Sequence, residues 1–404
     1  MRCHQLTECR LCGSANLEAV LSFPDSPAGD LYKSGKEVAV ELPRFPLGCN
    51  LCVNCGHVQL NFFVDPVVIY SEYIYVTSDS LGLGQHFQDY ADDLLGYMQP
   101  KTPQTILEIG CNDGNLLEKL CQAGHLGIGL DPAEYPLGIA ASKGLKVVQE
   151  YFSTESSRQI KNLYGSMDII IANNVLANVE NLNEVFGCFQ ELISNQGVIV
   201  FETGYLEHII SKKVIDNIHH EHIDYFSVKP LINFLEKFGL YIDRVVINGS
   251  KGSSIRVFAK IGPITLTSTE VLSIASTEVS HGYFELETYS KLKTEIEKER
   301  FRIKNFINEN RKLGHQIVGY GAAIGSTTLL LALDLEDEFD YLVDDNPRRV
   351  GKYSPGAGIP VISVAEISKA GSAVIVLAWR YEKLILPKLS RISTVKSVTS
   401  IWAV

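Results

Sequence analysis

No run of apolar residues in this 404-residue chain approaches the ~20 needed to span a bilayer. The opening MRCHQLTECRLC also lacks the apolar stretch of a secretory signal. Together these absences make a cytoplasmic location, away from membranes, the expectation. Positive charge is scarce as well: 36 Lys and Arg stand against 47 Asp and Glu, a net charge of −11. No basic run breaks that balance, so nucleic acid is not an expected partner, because phosphate binding needs clustered cations. Low-complexity tracts and repeats of solenoid length are missing too. No long exposed apolar face stands out, which makes a monomer the expectation. What the chain does have is length. At 404 residues it exceeds what one core usually supports, so two or three domains are expected.

The text changes twice along the chain. Residues 1–65 hold six of the nine cysteines among turn residues and short apolar runs. From about Thr102, the runs TILEIG, HLGIGLD, MDIIIANN and GVIVFET each end in or beside Gly, Asp, Asn or Glu, with amphipathic stretches between them. That alternation predicts βαβ units in a parallel sheet. Near Leu266 it gives way to one long, charged, helix-rich stretch, about Ser268 to Lys312, with Gly314 as its stop. HQIVGYG, FDYLVDD and SAVIVLAW then predict a second, smaller α/β domain. Two such halves in one chain suggest two nucleotide-type ligands meeting between them.

Cys9-Arg-Leu-Cys12 and Cys52-Val-Asn-Cys55 are two CxxC pairs about 40 residues apart. Each pair turns two thiolates to one side, and two pairs complete a tetrahedral zinc site with no open position, hence structural. Gly13 and Gly56 follow the pairs and suit tight turns. Cys49-Asn-Leu-Cys52 is also CxxC, but the glycine after Cys55 favours the later pair. Redox-active or merely buried thiols are the alternatives.

Ile106-Leu-Glu-Ile-Gly110-Cys-Asn-Asp-Gly114-Asn predicts a strand, a glycine turn and a helix start whose N–H groups face a ligand. About 20 residues on, a second strand ends in Asp131, placed for both ribose hydroxyls. The turn is E-x-G-x-x-x-G, not G-x-G-x-x-G, with Glu108 inside the strand. It is similar to the first motif of class I S-adenosylmethionine methyltransferases, which implies that Gly110, Asn112 and Gly114 accept the methionine portion. Asn173 and Asn174, ending a third run, border cofactor and substrate on that reading. NAD remains an alternative ligand. Further on, His219-His220-Glu221-His222 follows GVIVFET at the sheet edge where ligands bind. Spacing of i, i+1, i+3 suits a metal poorly, whereas a general base needs one imidazole titrating near neutrality beside a carboxylate such as Glu221 or Asp224. A satisfied surface cluster is the bland alternative.

With these motifs in hand, the chain resembles the nucleotide-sugar C-methyltransferases of deoxysugar biosynthesis over essentially its full length. The residues that carry the likeness are Cys55-Gly-His-Val-Gln-Leu60, His220-Glu221-His222 with Tyr225-Phe-Ser227, Gly252-Ser-Ser254-Ile-Arg256, Gly319-Tyr-Gly-Ala322, Asp344-Asp-Asn-Pro347 and Pro355-Gly-Ala-Gly-Ile-Pro360. The resemblance implies an α/β protein in three parts: a zinc-binding module at 1–70, a Rossmann-like class I methyltransferase domain at 71–264, and a C-terminal Rossmann-like substrate domain at 265–404. It implies S-adenosylmethionine and structural zinc as cofactors, with a nucleotide-linked 4-keto-6-deoxysugar as substrate. His222 would remove the C3 proton, Glu221 would orient it or bind the sugar, and His219 would act as acid or hydrogen-bond donor.

The resemblance extends to weaker candidates. Tyr73 and Ser78, with Tyr70 and Tyr75 nearby, would line the cofactor or substrate, although packing is an equal alternative for the tyrosines. Tyr225, Ser254, Arg256, Tyr320, Asp345 and Arg380 would bind substrate. Arg348, Arg349 and Lys352 would meet a diphosphate or form a solvated charge run. This chain departs from the family at His219, where tyrosine is usual, at Asn178 (histidine), near Gly325 (lysine) and at Arg380 (asparagine). The last two departures suggest a different sugar or nucleotide. An NAD-dependent sugar-modifying enzyme, a non-catalytic zinc scaffold, and methyl transfer to oxygen or nitrogen are the rival readings.

Overall fold

The computed structural model describes residues 3–70, 76–77, 83–367 and 371–402. Its centre is a seven-stranded sheet built from β1 (Thr105–Ile109), β2 (Leu126–Leu130), β3 (Lys146–Val148), β4 (Met167–Asn173), β5 (Ile193–Gly204), β6 (Leu240–Asn248) and β7 (Ser254–Ile261). The order is β6-β7-β5-β4-β1-β2-β3. The strands from β3 to β5 pair in parallel, and the antiparallel β6–β7 hairpin closes one side. β1 and β4 read as largely apolar runs, broken in β1 by Glu108, because helices cover both faces. Ile106, Ile169 and Ile171 meet the helices Leu83–Met98 and Asn115–Gln122. Leu107, Ile109 and Ile170 point the other way, into the core with Thr154–Tyr164, Leu182–Leu192 and Val228–Glu236. The period-two alternation of a strand thus feeds two cores.

The N-terminal module is a four-stranded antiparallel sheet, and its edge strand comes from elsewhere in the chain. Leu17–Pro27, Arg44–Cys52 and Val58–Leu60 pair in turn, and Asp224–Tyr225 completes the sheet beside Val58–Leu60. The segment after the histidine cluster is therefore part of the zinc module's sheet. Its core is shared too: Leu11 and Cys52 pack in one apolar cluster with Phe226 and Phe234.

The charged stretch expected from Ser268 to Lys312 is two helices, Thr269–Ser280 and Leu286–Lys312, parted at Gly282, where φ is +69°. Gly314, at φ +76°, ends the second as expected. Val271 and Ala275 bury the first helix in the methyltransferase core. Glu278 accepts the N–H groups of Val228 and Lys229 at the start of the helix Val228–Glu236. The Gly282 turn thus separates a helix packed into the methyltransferase core from the long helix that follows. The final domain is an all-parallel sheet of β8 (Gln316–Tyr320), β9 (Tyr341–Val343), β10 (Val361–Ile362), β11 (Ser372–Val376) and β12 (Val395–Ser400), ordered β10-β9-β8-β11-β12. Among the described residues, no helix is long and apolar enough to cross a membrane.

Candidate active site and zinc centre

At the C-terminal ends of β1, β2 and β4 lies a cavity of about 1490 Å³, lined by Glu108, Gly110, Asn112, Asp131, Asn173 and Asn174 among others. Its floor is a turn that only unusual backbone can make. Gly110, Asn112 and Gly114 all have positive φ, at +67°, +52° and +71°. A Cβ on Gly110 would lie 2.3 Å from Val175 Cγ2, and one on Gly114 as close to Leu145 Cδ1. Asp131 fixes the turn from the next strand, its two oxygens accepting the N–H groups of Asn112 (2.9 Å) and Ala133 (2.8 Å). Burial pushes the Asp131 carboxyl up, and those two N–H groups oppose the shift. Burial likewise raises Glu108, to about 8, against a hydrogen bond from the Leu117 backbone.

Two buried polar atoms on this wall, Glu108 Oε2 and Asn173 Nδ2, have no hydrogen-bond partner among the described residues. Orphaned groups beside a large cavity are what a polar ligand would satisfy. The donor set fits S-adenosylmethionine: carboxylates for an ammonium and for ribose hydroxyls, with apolar walls such as Phe152 and Ile139 for a base. Of the residues expected here, Tyr73 and Ser78 lie outside the described residues, as do Ser71 to Tyr75 as a group. Thr77, next to them, donates its N–H to Asn112 Oδ1 at 2.9 Å.

A second, small cavity of about 50 Å³ adjoins the first. Asn174 and Asn178 line both, and His222, Tyr225, His208 and Ser254 line the second. The Nδ1 of His222 is 3.0 Å from the Asn217 carbonyl, so that nitrogen is the donor of the hydrogen bond. This hydrogen bond runs to a backbone oxygen, not to the side chain of Glu221 or Asp224. The His219 ring packs against that of His222, with centroids 4.1 Å apart. His219 and Glu221 line neither cavity. His220 points away, with Nε2 3.2 Å from the Pro46 carbonyl. His208 was not foreseen; its Nε2 meets Ser253 Oγ at 3.2 Å. Ser253 holds φ +143°, a conformation serine adopts only when its surroundings enforce it.

The four expected thiols converge. Cys9, Cys12, Cys52 and Cys55 place their sulfurs within 4.8 Å of one another, with Cys9–Cys55 and Cys12–Cys52 both at 3.6 Å. Tetrahedral Zn–S bonds of about 2.3 Å put sulfurs about 3.8 Å apart, so the set fits zinc. Gly13 and Gly56 take φ of +76° and +86°. Cys49 lies outside the cluster, buried, its thiol pushed up by desolvation.

The remaining substrate candidates separate. Tyr225 and Ser254 stand with His222. Arg256 does not: its Nε and Nη2 are 3.0 and 2.9 Å from Glu202 Oε2, its guanidinium covers the Tyr90 ring, and it lines neither cavity. Burial alone would raise Glu202, but the hydrogen bond from His86, with the charges of His86 and Arg256, holds it below the usual carboxylate range. The geometry is that of an internal ion pair. Tyr320 donates to Asp345 (3.1 Å), which also meets Lys388 (2.8 Å). Arg380 reaches across to Asp216 (2.9 Å) and to Asn217 Oδ1 (3.2 Å), the residue whose carbonyl holds His222. Gly325 packs against the same place, where a Cβ would lie 2.8 Å from the Asp216 carbonyl. Arg348 stacks on Tyr135 at the cofactor-cavity wall, and Arg349 pairs with Asp30 at 2.5 Å.

Three families match in sequence order: a zinc binding domain over residues 9–70, a methyltransferase domain over 84–245, and a C-methyltransferase C-terminal domain over 249–401. Fold, cavity and thiol cluster together define an S-adenosylmethionine-dependent methyltransferase of class I fold carrying a zinc-binding module. C-methyltransferase NovU of Streptomyces niveus is 28% identical over 380 residues, 93% of this chain and 90% of that protein. In the order of its three parts the chain is similar to that C-methyltransferase over nearly its whole length. The NAD-dependent and scaffold readings fall with that result. A ubiquinone biosynthesis O-methyltransferase of Shewanella halifaxensis is 23% identical over 170 residues, 39% of this chain and 71% of its own. Among solved structures, magnesium protoporphyrin IX methyltransferase of Synechocystis PCC 6803 with bound SAH aligns at TM-score 0.36 and 17% identity, covering 45% of this chain and 84% of that one.

Proposed function

We propose that the chain methylates C3 of a nucleotide-linked 4-keto-6-deoxysugar, with His222 as the base. The carrying observation is that His222 lines a small cavity which shares Asn174 and Asn178 with the cofactor cavity. A base and a methyl-donor site that share walls suit proton removal and carbon attack at one atom. The ketone acidifies the neighbouring C–H, so the Nε2 lone pair accepts the C3 proton while the electron pair delocalises onto the ketone oxygen. Bound S-adenosylmethionine supplies a methyl on a positively charged sulfur. The carbanion forms the new C–C bond as the S–CH3 bond breaks, leaving S-adenosylhomocysteine, and the imidazolium returns its proton to solvent. Asn217 keeps the His222 tautomer competent through its carbonyl. Tyr225 and Ser254 are assigned to the sugar, and the C-terminal domain to the nucleotide. The base-side cavity holds only a water or two. The reading therefore places the reacting carbon at the Asn174–Asn178 junction, with the rest of the ring in the larger space.

The test is incubation with methyl-labelled cofactor and a panel of nucleotide 4-ketosugars, with NMR of the product. Label on C3 supports the reading, whereas label on oxygen or nitrogen, or on no member of the panel, counts against it.

A further inference from the structure

The zinc knuckles grip the histidine segment through one buried carboxylate. Asp224, two residues past His222, is 2% exposed. Its Oδ1 and Oδ2 each lie 3.0 Å from Arg10 Nε, and Oδ1 lies 2.8 Å from His57 Nε2. Both donors are knuckle residues: Arg10 directly follows Cys9, and His57 stands two beyond Cys55. Sequence spacing gave no hint of this contact, which joins residues 214 apart.

The same guanidinium does a second thing. Its Nη1 and Nη2 donate to the carbonyls of Glu180 (2.8 Å) and Val179 (2.5 Å), residues that line the cofactor cavity. Backbone bonds run in parallel with it. Leu60 N–H donates to the Ile223 carbonyl at 2.8 Å, and Ile223 N–H to the Ala177 carbonyl at 2.6 Å. Arg10 is itself anchored, its own N–H donating to Gln59 Oε1 at 2.8 Å. One planar side chain, rooted between two thiolates, therefore touches both the segment bearing the base and the wall of the methyl-donor cavity. Methyl transfer to carbon tolerates little misplacement, and a site on loops needs outside support to hold that tolerance.

We propose that Arg10, His57 and Asp224 form a brace through which the zinc module sets the segment 219–225 against the cofactor wall at 177–180, making these three positioning residues for methyl transfer. The catalytic consequence rests on His222 being the base; the mechanical one does not. A zinc module serving stability alone would loosen the whole fold when cut. The brace predicts loosening confined to two segments.

The test uses the full zinc-loaded chain with Arg10→Gln, Arg10→Lys and Asp224→Asn. Zinc content should equal that of the native protein, and affinity for S-adenosylhomocysteine should stay within about fivefold, since neither the thiols nor the Asp131 turn is altered. Turnover number should fall by about 30-fold or more in Arg10→Gln with KM changed less than about threefold, and Arg10→Lys should recover part of it. Amide hydrogen exchange should quicken by about tenfold over 176–181 and 218–226 and stay at native rates over Thr105–Ile109. Exchange unchanged in those two segments, or raised throughout, would overturn the brace, as would native turnover number in Arg10→Gln. If Asp224→Asn does not fold, the two Arg10 variants carry the test. His222→Ala is assayed alongside: full turnover there refutes the base, while the exchange data still judge the brace.

Discussion

The two α/β domains contain the same device and put it to different uses. In the methyltransferase domain, Asp131 at the end of β2 accepts the N–H groups of Asn112 and Ala133, clamping the glycine turn after β1. In the C-terminal domain, Asp344 past β9 accepts those of Ala322 (2.7 Å) and Asn346 (2.7 Å), clamping the turn after β8. The spacing agrees as well, an acid that caps the residue two beyond it and holds the turn one strand earlier. Beyond the first turn lies the cofactor cavity. Beyond the second, the helix Ile324–Ala332 begins against Asp216, with Arg380 and Trp379 reaching the same carboxylate. One turn is open to a ligand, and the other docks onto the segment that leads to His222, the proposed base. A shared backbone solution thus does not fix a shared role; what stands in front of it does.

The comparison breaks first at the two acids. Asp131→Ala should lose about 3 kcal/mol of S-adenosylhomocysteine binding, roughly 100-fold, because the turn geometry it holds and the ribose contacts proposed for it would go together. Asp344→Ala should leave that affinity within about twofold while costing about 1–3 kcal/mol of stability. Calorimetric titration and thermal unfolding separate the pair, and equal losses of affinity would erase the distinction. Next, Arg380→Ala leaves Asp216 buried without its cation. Turnover should drop by about tenfold through Asn217, with cofactor affinity native, as steady-state kinetics beside titration would show. Gly325→Ala should do less, about threefold to fivefold, since the Asp216 carbonyl must yield a few tenths of an ångström; the same kinetics report it.

A different kind of effect, on stability and not on turnover, concerns Glu108. Its folded pKa, about 8, stands above the ordinary 4.5, so the folded state keeps a proton that the unfolded state gives up between those values. Stability of the cofactor-free protein should therefore fall as pH rises through that window. Glu108→Gln should flatten the fall, read as a smaller difference in Tm between pH 5.5 and pH 7.5.

How much of this was legible in the sequence depends on how far apart the partners lie. Cys9, Cys12, Cys52 and Cys55, the turn from Gly110 to Gly114, and Asp131 announce themselves because zinc and a nucleoside demand fixed residue types at short spacings. The alternation of apolar runs likewise predicted both parallel sheets. Arg10, His57, His208 and Asn217 could not be read, because each gains its meaning from a partner brought near only by folding. Arg256 shows the converse. A buried arginine beside a glycine-rich loop reads as a substrate clamp until Glu202, across the antiparallel pairing of β5 and β7, is seen to hold it. The break between the two helices at Gly282 was hidden for a related reason: a charged stretch of helix formers states its propensity but not which core each part joins.

The proton on the sugar carbon is the most direct witness. In deuterated buffer, with S-adenosylhomocysteine in place of the methyl donor and a nucleotide 4-ketosugar, the native enzyme should wash deuterium into C3. His222→Ala should bind the same two ligands and wash in none. Deuterium entering at the native rate without that imidazole would contradict the account.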